Sequence, residues 1–384
     1  MSNPIIVIGS GFAAYQWVKS FRKLDQQTTI TLVTADQGAD YSKPELSHVF
    51  SRHQQATDLI KQTATEFAAE HNIELITETV INEINTAQQW VYFNQQQLHY
   101  SSLIIATGAT SFIPKFAGNA TNKIITLNSL SELQQNQSQI NAAKHITILG
   151  AGLIGTEIAI DLATAGKKIT LCDKAAAMMP ALLPEFIAVE LHQILSQKNI
   201  DLQLNATISE INTDGEQLII SQQGQEDIHT DIIIAAMGLA PRLQLAQQAG
   251  ISTNRGIIVN NMLQTSATNV YAIGDCAEIN GKISAFIQPI MLSAIALAKT
   301  LAGTPTPLSL PPMLIKAKTP WLPLSLAGIT TAMDIHWQIE RDHDGYIAKA
   351  HTADQTLIGF IASHNKQKQV FALLRQLPLH YKYT

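Results

Sequence analysis

The sequence is poor in sulfur and in charge. Of its 384 residues only Cys172 and Cys276 are cysteine. That excludes a disulfide framework, a cysteine-built zinc site, an iron–sulfur cluster held by this chain and a Cys-x-x-Cys redox pair. Charged residues make up 14% of the chain, against about 25% in an average globular protein. Gln, Asn, Ser and Thr supply the polarity instead. The net charge is −5 and no run of like charge occurs, so the basic footprint of a nucleic-acid binder is missing. No stretch approaches the roughly 20 apolar residues of a membrane span. The start, Met-Ser-Asn-Pro, lacks a basic flank and leads into an apolar run too short for a secretory signal. The expectation is a cytoplasmic protein without membrane insertion or a nucleic-acid partner. Metal-ligand spacing among the histidines and a Gly-x-Ser-x-Gly elbow are also lacking, so no metal site is expected.

Apolar residues make up 46% of the chain, ample for packed cores. A single core stops growing near 250–300 residues, so the length implies more than one domain.

Ile5-Ile6-Val7-Ile8 is a short apolar run ending at Gly9, the pattern of a buried parallel strand. Helical spacing follows from Phe12 to Leu24, then a β-branched strand from Thr28 to Val33. The same unit begins again about 140 positions later: strand His145–Leu149, helix Leu153–Ala165, strand Lys168–Cys172. The repeat predicts two nucleotide-binding domains built on parallel sheets. A hairpin (Trp90–Phe93 with Leu98–Tyr100) and a strand at Leu103–Ala106 lie between them. Further strands are expected at Asp231–Met237, Ile257–Val259 and Val270–Ile273. Pro305, Pro307, Pro311 and Pro312 mark a linker. Beyond it, alternation at Ile335–Ile339, Tyr346–Ala350 and Thr356–Ala362 predicts a small antiparallel sheet, closed by a helix near Gln367–Leu374.

Gly9-Ser10-Gly11-Phe12-Ala13-Ala14 is the Gly-x-Gly-x-x-Ala form of the dinucleotide fingerprint. Gly9 permits the turn, Gly11 lets backbone approach a pyrophosphate, and Ala14 lets helix and strand pack closely. Asp36, 25 residues past Gly11, stands where an acid would bind a ribose hydroxyl. Gly150-Ala151-Gly152-Leu153-Ile154-Gly155 repeats the pattern, with Asp173 21 residues past Gly152. An acid there favours the free 2′-hydroxyl of NAD over the phosphate of NADP, although Lys174 adjoins it. Two such sites in one chain suggest electron transfer from one cofactor to the other. Neither motif says which cofactor it holds. Thr107-Gly108 and Met237-Gly238 each end a buried strand. Gly274-Asp275 places a carboxylate at the carboxyl edge of a sheet, where ligands bind in such folds.

These four signals in this order resemble the two-dinucleotide-binding flavoprotein reductases, the family of glutathione reductase. The resemblance covers nearly the whole chain. It implies an α/β fold of two Rossmann-like domains plus a small α+β C-terminal domain. Residues 1–112 with 241–310 would bind FAD, 113–240 would bind NADH, and 311–384 would form the third domain. The family's paired cysteines, or the single cysteine of its peroxidase and oxidase members, would fall near Tyr41-Ser42-Lys43-Pro44, and no cysteine precedes Cys172. What remains is similar to the branch that reduces external one-electron carriers. The strings Thr34-Ala35-Asp36-Gln37-Gly38, Tyr41-Ser42-Lys43-Pro44, Gly150–Gly155, Gly256-Ile257-Ile258-Val259 and Lys318-Thr319-Pro320 look most like the rubredoxin–NAD reductases of alkane-degrading bacteria.

The resemblance implies site residues. Gly9, Gly11, Ala14 and Asp36 would hold the FAD adenosine diphosphate, with Thr107 and Gly108 completing the flavin site and Asp275 on the ribityl chain. Lys43 would lie beside flavin N5, paired with Glu157 where the nicotinamide docks. Lys318 would lie near the flavin ring. Gly150, Gly152, Gly155, Asp173 and Gly238 would bind NADH. The partner would be rubredoxin, a small acidic iron carrier feeding an alkane hydroxylase. Lys43, Arg52 and Lys61 would be candidate docking cations, and the role of Trp321 stays open. Alternatives are a ferredoxin reductase of an oxygenase system, an NADH oxidase, or a redox sensor. His48 and His53 are expected on a solvated helix, and both cysteines as small buried hydrophobes.

Overall fold

The computed structural model describes residues 3–215 and 217–378. The chain divides into two compact units, one of residues 1–43, 57–110 and 239–310, the other of residues 44–56, 111–238 and 311–384.

In the first unit, Ile5–Ile8 forms the centre of a five-stranded parallel sheet. It pairs with Ile30–Val33 on one side and Ser102–Ile105 on the other. Glu74–Ile76 and Val270–Ala272 complete the edges. All four residues of Ile5–Ile8 are buried, which is why the strand is continuously apolar rather than alternating. The chain leaves it in opposite directions to reach its two neighbours, so a crevice opens at Gly9, the switch point of the sheet. The helix Phe12–Arg22 covers one face and buries Tyr15, Trp17, Val18 and Phe21. A three-stranded hairpin sheet, Glu83–Asn85, Trp90–Phe93 and Gln96–His99, lies at the periphery of the same unit.

The second unit repeats this plan. His145–Leu149 is central, flanked by Lys168–Cys172 and Ile232–Ala235, with Ile200–Gln203 and Ile124–Ile125 outside. Strands Ile208–Asp214, Gln217–Gln222 and Ile228–Thr230 form a separate antiparallel sheet. The C-terminal part is a five-stranded antiparallel sheet in the order Leu314–Ala317, Leu324–Gly328, Leu357–Ser363, Gly345–His351, His336–Asp342. Its second strand escapes period-2 reading because Leu324–Ala327 are all buried. The closing helix is shorter than its sequence pattern: a 3-10 turn spans His364–Gln369 and α-helix only Val370–Leu374. The segment Pro44–Ala56, which the domain expectation placed in the first region, groups with the second unit.

Candidate functional site

The first half-site is built at the carboxyl end of Ile5–Ile8. Gly9 has φ +108°, and a Cβ there would lie 2.5 Å from the Ala106 carbonyl oxygen, so only glycine fits the turn. Around Gly11 nothing lies within 4 Å of an added Cβ, leaving open space for a ligand to approach. The helix from Phe12 has no side-chain cap and no acid in its first turn. Its first amides are therefore free for an anion. By contrast the surface helix Ala64–His71 closes its start with a Thr63–Glu66 capping box. Ala14 is fully buried, as close helix–strand packing requires.

Asp36 is exposed. Its Oδ1 accepts from Ser10 Oγ at 2.6 Å, Thr34 Oγ1 at 2.9 Å and Gly38 N at 2.9 Å. The carboxylate thus fixes its own loop against the glycine turn and still offers Oδ2 to a hydroxyl. Thr107 and Gly108 are held by Arg242, which sequence reasoning missed. Arg242 N donates to Gly108 O at 3.0 Å and its Nη1 to Thr107 O at 3.1 Å.

Lys43 and Asp275, more than 200 residues apart in sequence, come together: Lys43 Nζ lies 3.7 Å from Asp275 Oδ2. Asp275 Oδ1 is buried and has no hydrogen-bond partner. An orphaned buried acceptor is costly unless a donor arrives. A polyhydroxyl chain in the crevice would supply one. The open glycine turn, the uncapped helix and this orphaned oxygen fit FAD.

The second half-site repeats the first. Gly150 carries φ +111°, and Gly155 lies so close to the turn that an added Cβ would stand 1.9 Å from Gly150 O. Gly152 has open space and its helix, Leu153–Thr164, is again uncapped. Asp173 accepts from Ala151 N at 2.7 Å and Ala175 N at 2.8 Å. Its carboxylate sits directly beneath the fingerprint loop. Gly238, with φ +108°, follows the central strand's neighbour, and its carbonyl accepts from Phe112 N at 2.9 Å. These residues fit a second dinucleotide.

Glu157 lies two residues beyond Gly155 on the same helix and is 5% exposed. Its Oε1 accepts from Lys318 N at 2.9 Å and its Oε2 from Ser47 Oγ at 3.1 Å. His48 Nε2 is 4.0 Å from Oε2 and has no hydrogen-bond partner. Burial pushes the Glu157 carboxyl up, against the hydrogen bonds from Lys318 and Ser47. Burial, with Lys318 and Arg52 nearby, pushes His48 down to about 4, so it is neutral at pH 7. The solvated surroundings expected of His48 are therefore corrected: its side chain is 13% exposed, while His53 is exposed.

Lys318 does more than lie nearby. Its Nζ donates to Pro44 O at 3.0 Å and stands 3.6 Å from Glu45 Oε1. Arg52 Nη1 pairs with Oε2 of the same glutamate. Burial raises Glu45, but the Arg52 hydrogen bond and the Lys318 and Arg52 charges outweigh it and hold the carboxyl below its usual range. Asp161, one helical turn after Glu157, anchors the far end of this segment. It accepts from Phe50 N at 2.9 Å, Ser51 N at 3.1 Å and Ser51 Oγ. An acid four residues past another on an otherwise apolar helix shares its face, and that was the available signal for Asp161.

Both cysteines are buried. Burial pushes the Cys172 thiol up to about 12 and also raises Cys276. Neither is a nucleophile.

Residues 3–299 match the pyridine nucleotide-disulphide oxidoreductase family. The chain belongs to that family. It is an oxidoreductase that binds FAD and acts on NADH. Residues 307–377 match the rubredoxin binding C-terminal domain. A "nitric oxide reductase FlRd-NAD(+) reductase" of Vibrio vulnificus is 44% identical over 377 residues, 98% of each chain. A protein of the same name from Escherichia coli is 42% identical over 379 residues, 99% of this chain and all of the other. Among solved structures, the NADH:rubredoxin oxidoreductase of Clostridium acetobutylicum superposes with a TM-score of 0.79 at 18% identity, over 98% of this chain and 94% of that one. Putidaredoxin reductase, in covalent complex with putidaredoxin, reaches 0.88 at 20% identity, over 98% and 94%. At such identity these two likenesses are of fold. No helix among the described residues is long and apolar enough to cross a membrane.

Proposed function

We propose that this chain takes electrons from NADH and delivers them one at a time to a rubredoxin or rubredoxin-like domain. The observation that carries the reading is the rubredoxin-binding match at residues 307–377, joined to two dinucleotide turns. The lack of an accessible thiol supports it, because both cysteines are buried and cannot receive the electrons. The alkane hydroxylase implied by the resemblance draws no support from the relatives. Their names favour an acceptor that serves nitric oxide reduction.

In this reading Gly9, Gly11, Ala14 and Asp36 hold the FAD diphosphate and ribose, with Thr107 and Gly108 beside them. Bound FAD supplies the chemistry, accepting two electrons as hydride and releasing them singly. Asp275 accepts a hydroxyl of the ribityl chain through its orphaned Oδ1 and steadies Lys43 through Oδ2. Lys43 offers a cation to the negative charge that develops as the cofactor is reduced. Gly150, Gly152, Gly155 and Gly238 admit the NADH backbone. Asp173 accepts a ribose hydroxyl and would repel a 2′-phosphate, favouring NADH over NADPH. Glu157 and Lys318 hold the segment that begins at Pro44, directly after Lys43. A cytoplasmic setting belongs to the same reading.

The test is rapid mixing of the FAD-loaded protein with NADH, followed by added rubredoxin. Fast bleaching of the flavin and turnover dependent on rubredoxin are expected. Turnover on oxygen alone, or a reduced state that persists with rubredoxin present, would refute the reading.

A further inference from the structure

Trp321 has no part in either half-site, yet the fold displays it deliberately. It stands at the third position of a tight turn, Thr319–Leu322, joining two strands of the rubredoxin-binding domain. Leu322 N donates to Thr319 O at 3.0 Å, and Thr319 Oγ1 closes the same turn onto Leu322 O. Pro320, at the second position, pre-sets the turn. The flanking Thr319 and Leu322 are 1% and 0% exposed, so the turn is riveted to the core on both sides of a part-exposed indole. One residue upstream of the turn, Lys318 is clamped by its backbone to Glu157 and by its Nζ to Pro44. A large aromatic on so rigid a tip loses little entropy when a partner covers it.

A cation faces the indole. Lys198 Nζ lies over its ring, 5.5 Å from the centroid. Lys316 is an exposed residue of the strand Leu314–Ala317 that leads into the turn. Arg52 and Lys318 both pair with Glu45, and Glu157 accepts from the Lys318 backbone. A chain of net charge −5 thus sets a lysine against one aromatic tip, inside the region that matches a rubredoxin-binding domain.

We infer that Trp321 and its lysine collar are the anchor on which an acidic rubredoxin docks. The indole is the desolvated centre of the contact, and Lys198 and Lys316 form a rim that steers the partner in. The inference rests on rubredoxin being the acceptor. Its test separates the two. Steady-state reduction of rubredoxin and of ferricyanide by NADH is measured for the FAD-loaded protein and for Trp321→Ala, Trp321→Phe and Lys198→Glu. Ferricyanide needs no docking surface and reports an intact NADH-to-flavin path. Trp321→Ala should raise the KM for rubredoxin by roughly thirtyfold, the scale of a hot-spot residue, and leave ferricyanide reduction within about twofold. Trp321→Phe should recover most of the affinity. Lys198→Glu should raise the KM about threefold at low salt, and the difference should vanish at high salt. A rubredoxin KM unchanged in Trp321→Ala overturns the inference. So does equal loss with both acceptors in Trp321→Ala combined with an unchanged KM in Lys198→Glu. Wild-type protein that reduces ferricyanide but not rubredoxin defeats the acceptor assignment itself, and the docking site with it.

Discussion

Removing Asp161 tests whether the second unit holds the segment that follows Lys43. The carboxylate is 3% exposed and receives Phe50 N, Ser51 N and the Ser51 hydroxyl. In Asp161→Ala these donors lose their acceptor. A buried unsatisfied donor costs about 1–3 kcal/mol. Phe50 N is fully enclosed and belongs at the upper end, whereas the part-buried Ser51 groups can recruit water and belong at the lower end. Against this, burial pushes the Asp161 carboxyl up, so deleting it relieves a desolvation cost. The net expectation is a loss of about 2–3 kcal/mol, or a fall in Tm of roughly 4–12 °C. Asp161→Asn keeps one oxygen acceptor and loses the charge, so it should cost about 1 kcal/mol. Urea unfolding followed by far-UV circular dichroism measures both variants. Asp161→Ala should also slow flavin reduction by NADH, because the segment it frees begins next to Lys43. A loss below about 0.5 kcal/mol, or equal losses in the two variants, would refute the anchoring argument.

His48 gives a pH prediction with a definite sign. Its folded value, about 4, lies below its ordinary 6.5. The unfolded chain therefore binds a proton first, and the stability that neutral His48 contributes is full above pH 6.5 and lost as pH falls toward 4. His48→Gln should flatten that part of the stability curve; an unaltered slope between pH 7 and 5 in urea titrations would contradict it. Gly155→Val should place atoms against Gly150 O, raising the KM for NADH at least tenfold (about 1.4 kcal/mol) while FAD content stays normal, as a bound-flavin spectrum would report. Asp275→Ala should weaken FAD retention, so that gel filtration strips the colour; a variant as yellow as wild type removes Asp275 from the flavin site. Asp173→Ala should erode the preference for NADH over NADPH by about tenfold, one good hydrogen bond's worth, and an unchanged ratio of kcat/KM would end its ribose role.

Much of the architecture is legible locally. The strands Ile5–Ile8, His145–Leu149 and Lys168–Cys172 have the residue bounds that their apolar runs imply, because a strand buried on both faces must be apolar throughout. The glycine turns are equally local, since the positive φ of Gly9 and Gly150 is a requirement that sequence can state. The segment Lys43–His48 forms a 3-10 helix. The flavoprotein family followed from motif order and rubredoxin from the resemblance, but that the C-terminal part is the rubredoxin-binding one did not.

The rest depends on partners far apart in the chain. Nothing near Asp275 in sequence announces Lys43, and nothing near Glu157 announces that its two oxygens are held by Ser47 and the backbone of Lys318. His48 reads as a solvated side chain until the helix Leu153–Thr164 and Lys318 close over it. Burial and charge then reverse its ionisation, and both are properties of the folded surroundings. Composition and spacing therefore determined the two nucleotide turns and the want of a reactive thiol. Tertiary structure alone decided which carboxylates are orphaned, which cations they meet, and that a single indole stands at the tip of a fixed turn. Those outcomes are sums over neighbours brought together by chain closure, and a linear sequence does not contain the distances.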